Sequence, residues 1–261
     1  MDRTGLKLPF TLTRQADWLC PRCQMGLLRI KKGSFVKEEA KDSRDHTHEA
    51  WEPDWIRYVF SCMLVCTSDQ CKEVVSCSGA GSVDFDLFED ENGEIKQEYE
   101  DTFRPKYFEP HLIFINIPEK CPKAIAEPLK ESFRLFFASP SAASNNVRIA
   151  LEELLTDLNV KRFNRVNGKL RFVNLHQRID LLPTKYAQLK DMIFAVKWLG
   201  NAGSHSHDGK QGISMDDVMD SYELMEHILA EIYAPKTRKL ASLAKRVIKK
   251  KGPVKRTKGR T

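Results

Sequence analysis

The chain has 261 residues, of which 41% are apolar and 30% charged, and its formal net charge is +6. That length supports a full hydrophobic core or two modest domains, and the composition excludes a disordered or fibrous chain. No stretch approaches ~18 consecutive apolar residues, so no membrane-spanning helix is expected.

The first twenty residues lack an apolar segment of the kind that export signals carry, so a cytoplasmic location is expected. Seven cysteines are then an odd count without an oxidising compartment, and read as metal ligands and buried thiols rather than as a disulfide framework. Six of them fall within 1–108, the part that reads as strands.

Cys20-Pro-Arg-Cys23 and Cys66-Thr-Ser-Asp-Gln-Cys71 are two short-spaced thiol pairs. Zinc takes four ligands in a tetrahedron, and soft thiolates at such spacing satisfy it with little loop entropy. Cys20, Cys23, Cys66 and Cys71 are therefore expected to hold one structural zinc per chain, with no open coordination position. Between the pairs, 31–54 is polar and charged and reads as a long, mobile insertion. Its His46 and His48 read as solvated more readily than as ligands. Tyr58 to Cys66 is a near-continuous apolar run suited to a buried strand. A short strand at 73–77, a turn punctuated by Gly79 and Gly81, and an alternating strand over 82–88 follow, with an Asn-Gly hairpin turn at 92–93. Cys62 and Cys77 read as core, and Cys121 as an inert thiol at a helix start.

From about 119 the apolar period becomes helical. Ile125, Leu129, Phe133 and Phe136 mark one helix, with Pro128 expected in its first turn. Val147 to Leu158 carries a second apolar stripe, preceded by a Ser/Pro/Asn-rich stretch at 139–146. A third helix is expected over 172–182, a fourth from Tyr186 to about Asn201, and a fifth through Val218 to Ile232. Ser214 and Asp217 are spaced as a capping box for the fifth, and Pro235 as its stop. The chain thus reads as α+β: a zinc-ribbon-like antiparallel β module at 1–108, a bundle of about five helices at 109–235, and a basic tail at 236–261.

Lys197, Asn201 and His205 are spaced four apart, so a helix running that far would set a cation, an amide and an imidazole on one face. Such a face could hold a phosphate and move a proton. The alternative is structural, with Gly200 and Gly203 ending the helix and the histidines in a polar loop. The tail carries twelve Lys/Arg and no Asp/Glu, which leaves 1–235 at −6. Its Leu240, Leu243, Val247 and Ile248 lie at amphipathic spacing, so a basic helix is expected. RNA or DNA is the natural partner of that charge, through counterion release, although an anionic membrane surface or an acidic protein would be attracted by the same charge, and a solvated tail with no fixed partner is an equal alternative.

Taken together, the CPxC pair, the C-x4-C pair before a Gly-rich turn, Arg148-Ile-Ala-Leu-Glu-Glu-Leu-Leu155 and Gly200-Asn-x-x-x-His205 resemble proteins with domain of unknown function 4145. That domain is similar to the HEPN superfamily, helical bundles found in toxins, RNA-processing enzymes and phage-defence systems. The resemblance implies a HEPN-like bundle, a homodimer through it, and a setting in prokaryotic defence or restriction. It also implies metal-independent ribonuclease chemistry, in which a His activates the ribose 2′-OH and an Arg binds the phosphate. Asn201 and His205 match that pattern, but Gly200 stands where the Arg would be. Lys197 and Arg148 are the substitute cations, and Arg148 can instead pair with Glu152 one turn on. The missing Arg favours a nucleic-acid-associated interaction or regulatory module over an endoribonuclease using His205, Asn201 and Lys197.

Overall fold

A computed structural model describes residues 3–89, 95–204 and 212–250. After a short helix α1 (Arg3–Lys7), five strands form one antiparallel sheet: β1 (Leu28–Ile30), β2 (Val36–Glu39), β3 (Arg57–Cys66), β4 (Val74–Glu89) and β5 (Ile95–Glu109). The order is β1-β3-β4-β5, with β2 pairing the other half of β3.

β3 is buried on one face only. Phe60, Cys62, Leu64 and Cys66 point into the core, whereas Val59 and Met63 are exposed. The run read as a buried strand is thus buried on one face, with Cys62 beside Phe60 and Leu64 in the core, and carries apolar residues on its outer face as well. β4 departs further from expectation, because the short strand, the glycine turn and the second strand are one continuous strand of 16 residues. The glycines serve close approach. A Cβ at Gly79 would lie 2.2 Å from the Arg104 carbonyl and 2.9 Å from the Phe60 ring, and one at Gly81 would lie 2.7 Å from the Phe103 ring. A register shift at Ser78/Gly79 marks the same crowding. Glu89 pairs with Ile95; the hairpin turn expected at 92–93 lies outside the described residues.

The segment read as a mobile insertion has structure of its own. It contains β2 and 3₁₀ turns at Lys41–Ser43 and Pro53–Trp55. Buried Ser43 bonds Glu39 and the backbone of Arg57. The His46 ring lies tilted against Trp51 at 4.5 Å and meets Glu39 at 2.9 Å, while His48 lies 5.4 Å from Trp55. Both histidines are exposed, as expected, and touch these neighbours from the solvent side.

The helical part holds α2 (Lys123–Leu135), α3 (Pro140–Asp157), α4 (Leu175–Asp180), α5 (Lys190–Ser204), α6 (Met215–Tyr233) and α7 (Pro235–Lys250), for seven α-helices with α1 among the described residues. Ser139 caps α3 with Pro140 at its first position, so the Ser/Pro/Asn-rich stretch is mostly helix. Pro128 is interior to α2 rather than in its first turn. The carbonyl left without its N–H is that of exposed Ala124, within reach of water. The expected third helix is shorter, because an exposed hairpin, β6 (Phe163–Val166) and β7 (Lys169–Phe172), takes its first residue. The fourth begins as a 3₁₀ turn at Thr184–Leu189. The Ser214/Asp217 capping box of α6 is present in both directions, at 2.8 and 3.2 Å. Pro235 follows the end of α6 and opens α7.

One core runs through both parts. Trp18 meets Phe108 at 5.2 Å, Phe108 meets Phe137 at 5.1 Å, and Phe114 joins Phe136 to Tyr222 at 4.4 and 5.5 Å. Buried Tyr222 and Ser132 share a hydrogen bond of 2.7 Å, and Ser132 donates to the Ala143 carbonyl. Burial raises the Tyr222 hydroxyl above the ordinary tyrosine range. Among the described residues, no helix is long and apolar enough to cross a membrane.

Candidate functional site

The two thiol pairs meet at one end of the sheet. Cys20 opens a tight turn closed by the Gln24 N–H on its carbonyl at 2.9 Å, with Gln24 at φ 53°. Cys66 ends β3, and Cys71 lies in the next turn, where its own N–H and that of Lys72 return to Ser68. Cys20 and Cys71 Sγ are 3.8 Å apart, Cys23 and Cys66 Sγ 3.7 Å, and all four lie within 4.8 Å of one another. A tetrahedron built on metal–sulfur bonds of about 2.3 Å has edges of about 3.8 Å. Gly26 makes this closure feasible, since a Cβ there would stand 2.5 Å from the Cys66 sulfur.

The electrostatics also suit a cation. Backbone N–H groups of Gly26 and Met25 lower the Cys23 thiol from its ordinary range, because they stabilise the thiolate. Burial raises Cys20 and Cys66, which without a cation would have no counter-charge for a thiolate. The cluster can therefore hold a metal ion in a closed four-sulfur shell. The other three cysteines stand apart. Cys62 and Cys77 face each other across β3 and β4 in the core, and burial raises half-buried Cys121 to about 11.

The second group sits where α5 crosses α3. α5 continues through Gly200 to Ser204, so the glycine does not end it, and Lys197 and Asn201 share a face. Gly200 lies against α3: a Cβ there would be 2.8 Å from the Cβ of Arg148, and the Ser144 hydroxyl donates to the Leu199 carbonyl at 3.0 Å. An arginine at 200 would point into α3, so the glycine at this position has a packing cause.

Lys197 is only 6% exposed. Its ammonium lies 3.4 Å from the centroid of the Trp198 ring and donates to His176 Nδ1 at 3.4 Å. Burial, and then the Arg148 guanidinium, lower it from the ordinary lysine range. Arg148 pairs with Glu152 at 3.2 Å, and its Nε is buried without an acceptor among the described residues. The structure thus brings Lys197 and Arg148 together and leaves Asn201 one turn on. His205 and His207 lie outside the described residues. His176 and Trp198 escaped the sequence reading. The signal for His176 was the Asn174/Gln177 capping box, which sets it in the first turn of α4.

Comparison with known families gives two matches. Residues 8–108 match the model of a domain of unknown function (DUF8608), and residues 130–251 match that of another domain of unknown function (DUF4145). The second supports the resemblance at the Arg148 and Gly200-Asn201 segments; the thiol pairs, also counted toward it, lie instead within the first match. No curated protein and no solved structure matches the chain.

Proposed function

We propose that this chain is a nucleic-acid-associated interaction or regulatory module, its sheet pinned by a structural zinc ion on Cys20, Cys23, Cys66 and Cys71. Zinc is favoured over other ions by four soft thiolates at tetrahedral spacing, and such a shell leaves no position for a substrate. Its setting, taken from the resemblance, is prokaryotic defence or restriction.

The observation that carries the nucleic-acid reading is Lys197. A nearly buried ammonium has an aromatic ring and an imidazole for neighbours, but no carboxylate among the described residues, and a second cation, Arg148, stands beside it. A phosphate would supply the missing counter-charge. The test is titration of labelled single-stranded RNA and of duplex DNA with the full chain over a salt series. Lys197→Met is expected to weaken binding and to lower the salt slope by about one ion. The same substitution should stabilise the fold by about 1 kcal/mol at pH 7, because a buried cation without a counter-charge is replaced by an apolar chain of similar length. The sign over pH follows. A depressed lysine keeps its folding cost below its folded pKa and loses it as pH rises through that value, so the gap to Lys197→Met should close in alkali. Unchanged RNA and DNA binding would remove Lys197 from the interface.

A second reading, a metal-independent endoribonuclease using His205 with Asn201 and Lys197, is favoured by one observation. α5 runs unbroken to Ser204 and so presents Lys197 and Asn201 on the face that position 205 would continue. Against it stands the packing of Gly200 on α3, where that chemistry needs an arginine. Incubation with RNA in EDTA decides the matter. Cleavage by the wild type but not by His205→Ala, leaving 2′,3′-cyclic phosphate ends, is what that reading requires. No cleavage by either protein is the expected result.

A further inference from the structure

The β4–β5 ribbon outgrows its sheet. β3 stops pairing at Arg57↔Ser82, and beyond that point β4 and β5 continue alone from Val83↔Asp101 to Glu89↔Ile95. A two-stranded ribbon is marginal in water without cover on one face. One face of this arm carries four large apolar side chains, with Phe85 against Tyr99, Leu87 against Gln97 and Ile95 against Glu89; the Tyr99 hydroxyl donates to Glu52 at 3.4 Å near the base of the arm. Phe85, Tyr99, Leu87 and Ile95 are 45%, 40%, 62% and 77% exposed. The other face sets Asp84 opposite Glu100 and Asp86 opposite Glu98, an unfavourable arrangement of like charges. Residues 83–101 carry nine Asp/Glu against one basic residue, Lys96.

α7 has the opposite polarity. Residues 242–249 are all exposed. At 100° per residue, Leu243, Val247 and Ile248 fall on one side of the helix, and Lys245, Arg246 and Lys249 on the other. With 251–261, this segment holds twelve basic residues and no acidic one.

We propose that α7 of one copy lies along the Phe85 and Leu87 face of the β4–β5 arm of a second copy, and the reverse, in a reciprocal two-fold dimer. The apolar stripes cover each other. The lysine and arginine stems wrap the edges of a ribbon only two strands wide, toward the carboxylates on its far face. The partner is a second copy because reach excludes the chain's own α7. α6 begins beside α1, where Lys7 meets Asp216 and Arg3 meets Asp220, and α1 leads through the Phe10↔Phe103 bridge to the base of the arm. α7 starts at the far end of α6, about 28 Å away at 1.5 Å per residue, and is itself about 24 Å long. Folded back, it would end before the arm begins. The proposal stands whether or not α7 also touches nucleic acid.

The test is sedimentation velocity on the full chain, nuclease-treated and stripped in high salt. A dimer at 50 mM NaCl that dissociates at 500 mM is expected. Lys245→Glu with Lys249→Glu, and separately Asp86→Lys with Glu98→Lys, should each weaken self-association at least tenfold with unchanged circular dichroism. Mixing these two variants should restore a dimer, because each then offers the charge that the other lacks. A wild type that stays monomeric at 50 mM, a dimer indifferent to both reversals, or an association that disappears with nuclease treatment would each overturn the proposal.

Discussion

Replacing Cys71 by serine is expected to unfold the N-terminal sheet and to release the metal. Cys71 is one of four sulfurs drawn from two turns that β1 and β3 hold side by side. A serine oxygen is a poor ligand for a soft tetrahedral site, and three thiolates would remain, two of them, on Cys20 and Cys66, buried. Zinc binding in small domains is worth about 10–16 kcal/mol at neutral pH, comparable to the entire margin of about 5–15 kcal/mol by which a domain is folded. Removing the ion therefore removes the margin. Elemental analysis should find about one zinc per wild-type chain and none in the variant. Trp18, two residues before Cys20 and buried between Phe10 and Phe108, should shift its fluorescence to the red in the variant and on chelation. Affinity should fall with pH, since the thiols must lose protons to bind. A zinc-free protein with native fluorescence and an unchanged melting temperature would sink the metal centre.

Arg178→Ala is expected to cost about 3 kcal/mol, large for one side chain. Arg178 is 1% exposed. It donates to the Glu152 carbonyl at 3.1 Å, to Thr156 Oγ1 at 2.9 Å and to the Val160 carbonyl at 3.3 Å, tying α4 to the C-terminal end of α3. Burial lowers it from the ordinary arginine range, the electrostatic mark of an expensive position. Truncation would orphan acceptors that water cannot easily reach. Lysine should rescue little, because one ammonium cannot span acceptors arranged for a planar fork. α4 also carries His176, so the same change should loosen the hydrogen bond to Lys197. Urea denaturation measures the first effect, and histidine chemical shifts measure the second. A loss below about 1 kcal/mol would show that the network is dispensable.

The features legible in the sequence were those whose cause is local. Cysteine spacing marks the four sulfurs that meet, the Ser214/Asp217 pair marks the start of α6, and the i, i+4 spacing of Arg148 and Glu152 marks an ion pair that the structure contains. The misreadings share a non-local cause. Gly79 and Gly81 look like a turn until Phe60, Phe103 and Arg104 arrive from neighbouring strands. Gly200 looks like a helix end until Arg148 lies against it. Arg178 resembles any surface arginine, because its acceptors lie 18 to 26 residues away in sequence. The β6–β7 hairpin is different. Its Asn167-Gly168 turn, with φ of 51° and 76°, and the alternation of Lys169-Leu-Arg-Phe172 after it were readable signals, but each strand is only four residues long and fully exposed.

The ring-to-ring path from Trp18 through Phe108 to Phe137 bears on how the chain can be taken apart. The two family matches invite a cut near residue 109, as though each half were a cassette. Such a cut would strip Phe108 from Phe137 and leave wet a surface that is now dry on both sides. Neither half is then a spare part: grafted elsewhere, each would need a new aromatic lid before it kept its shape. Heating the intact chain should melt sheet and helices together, in one step.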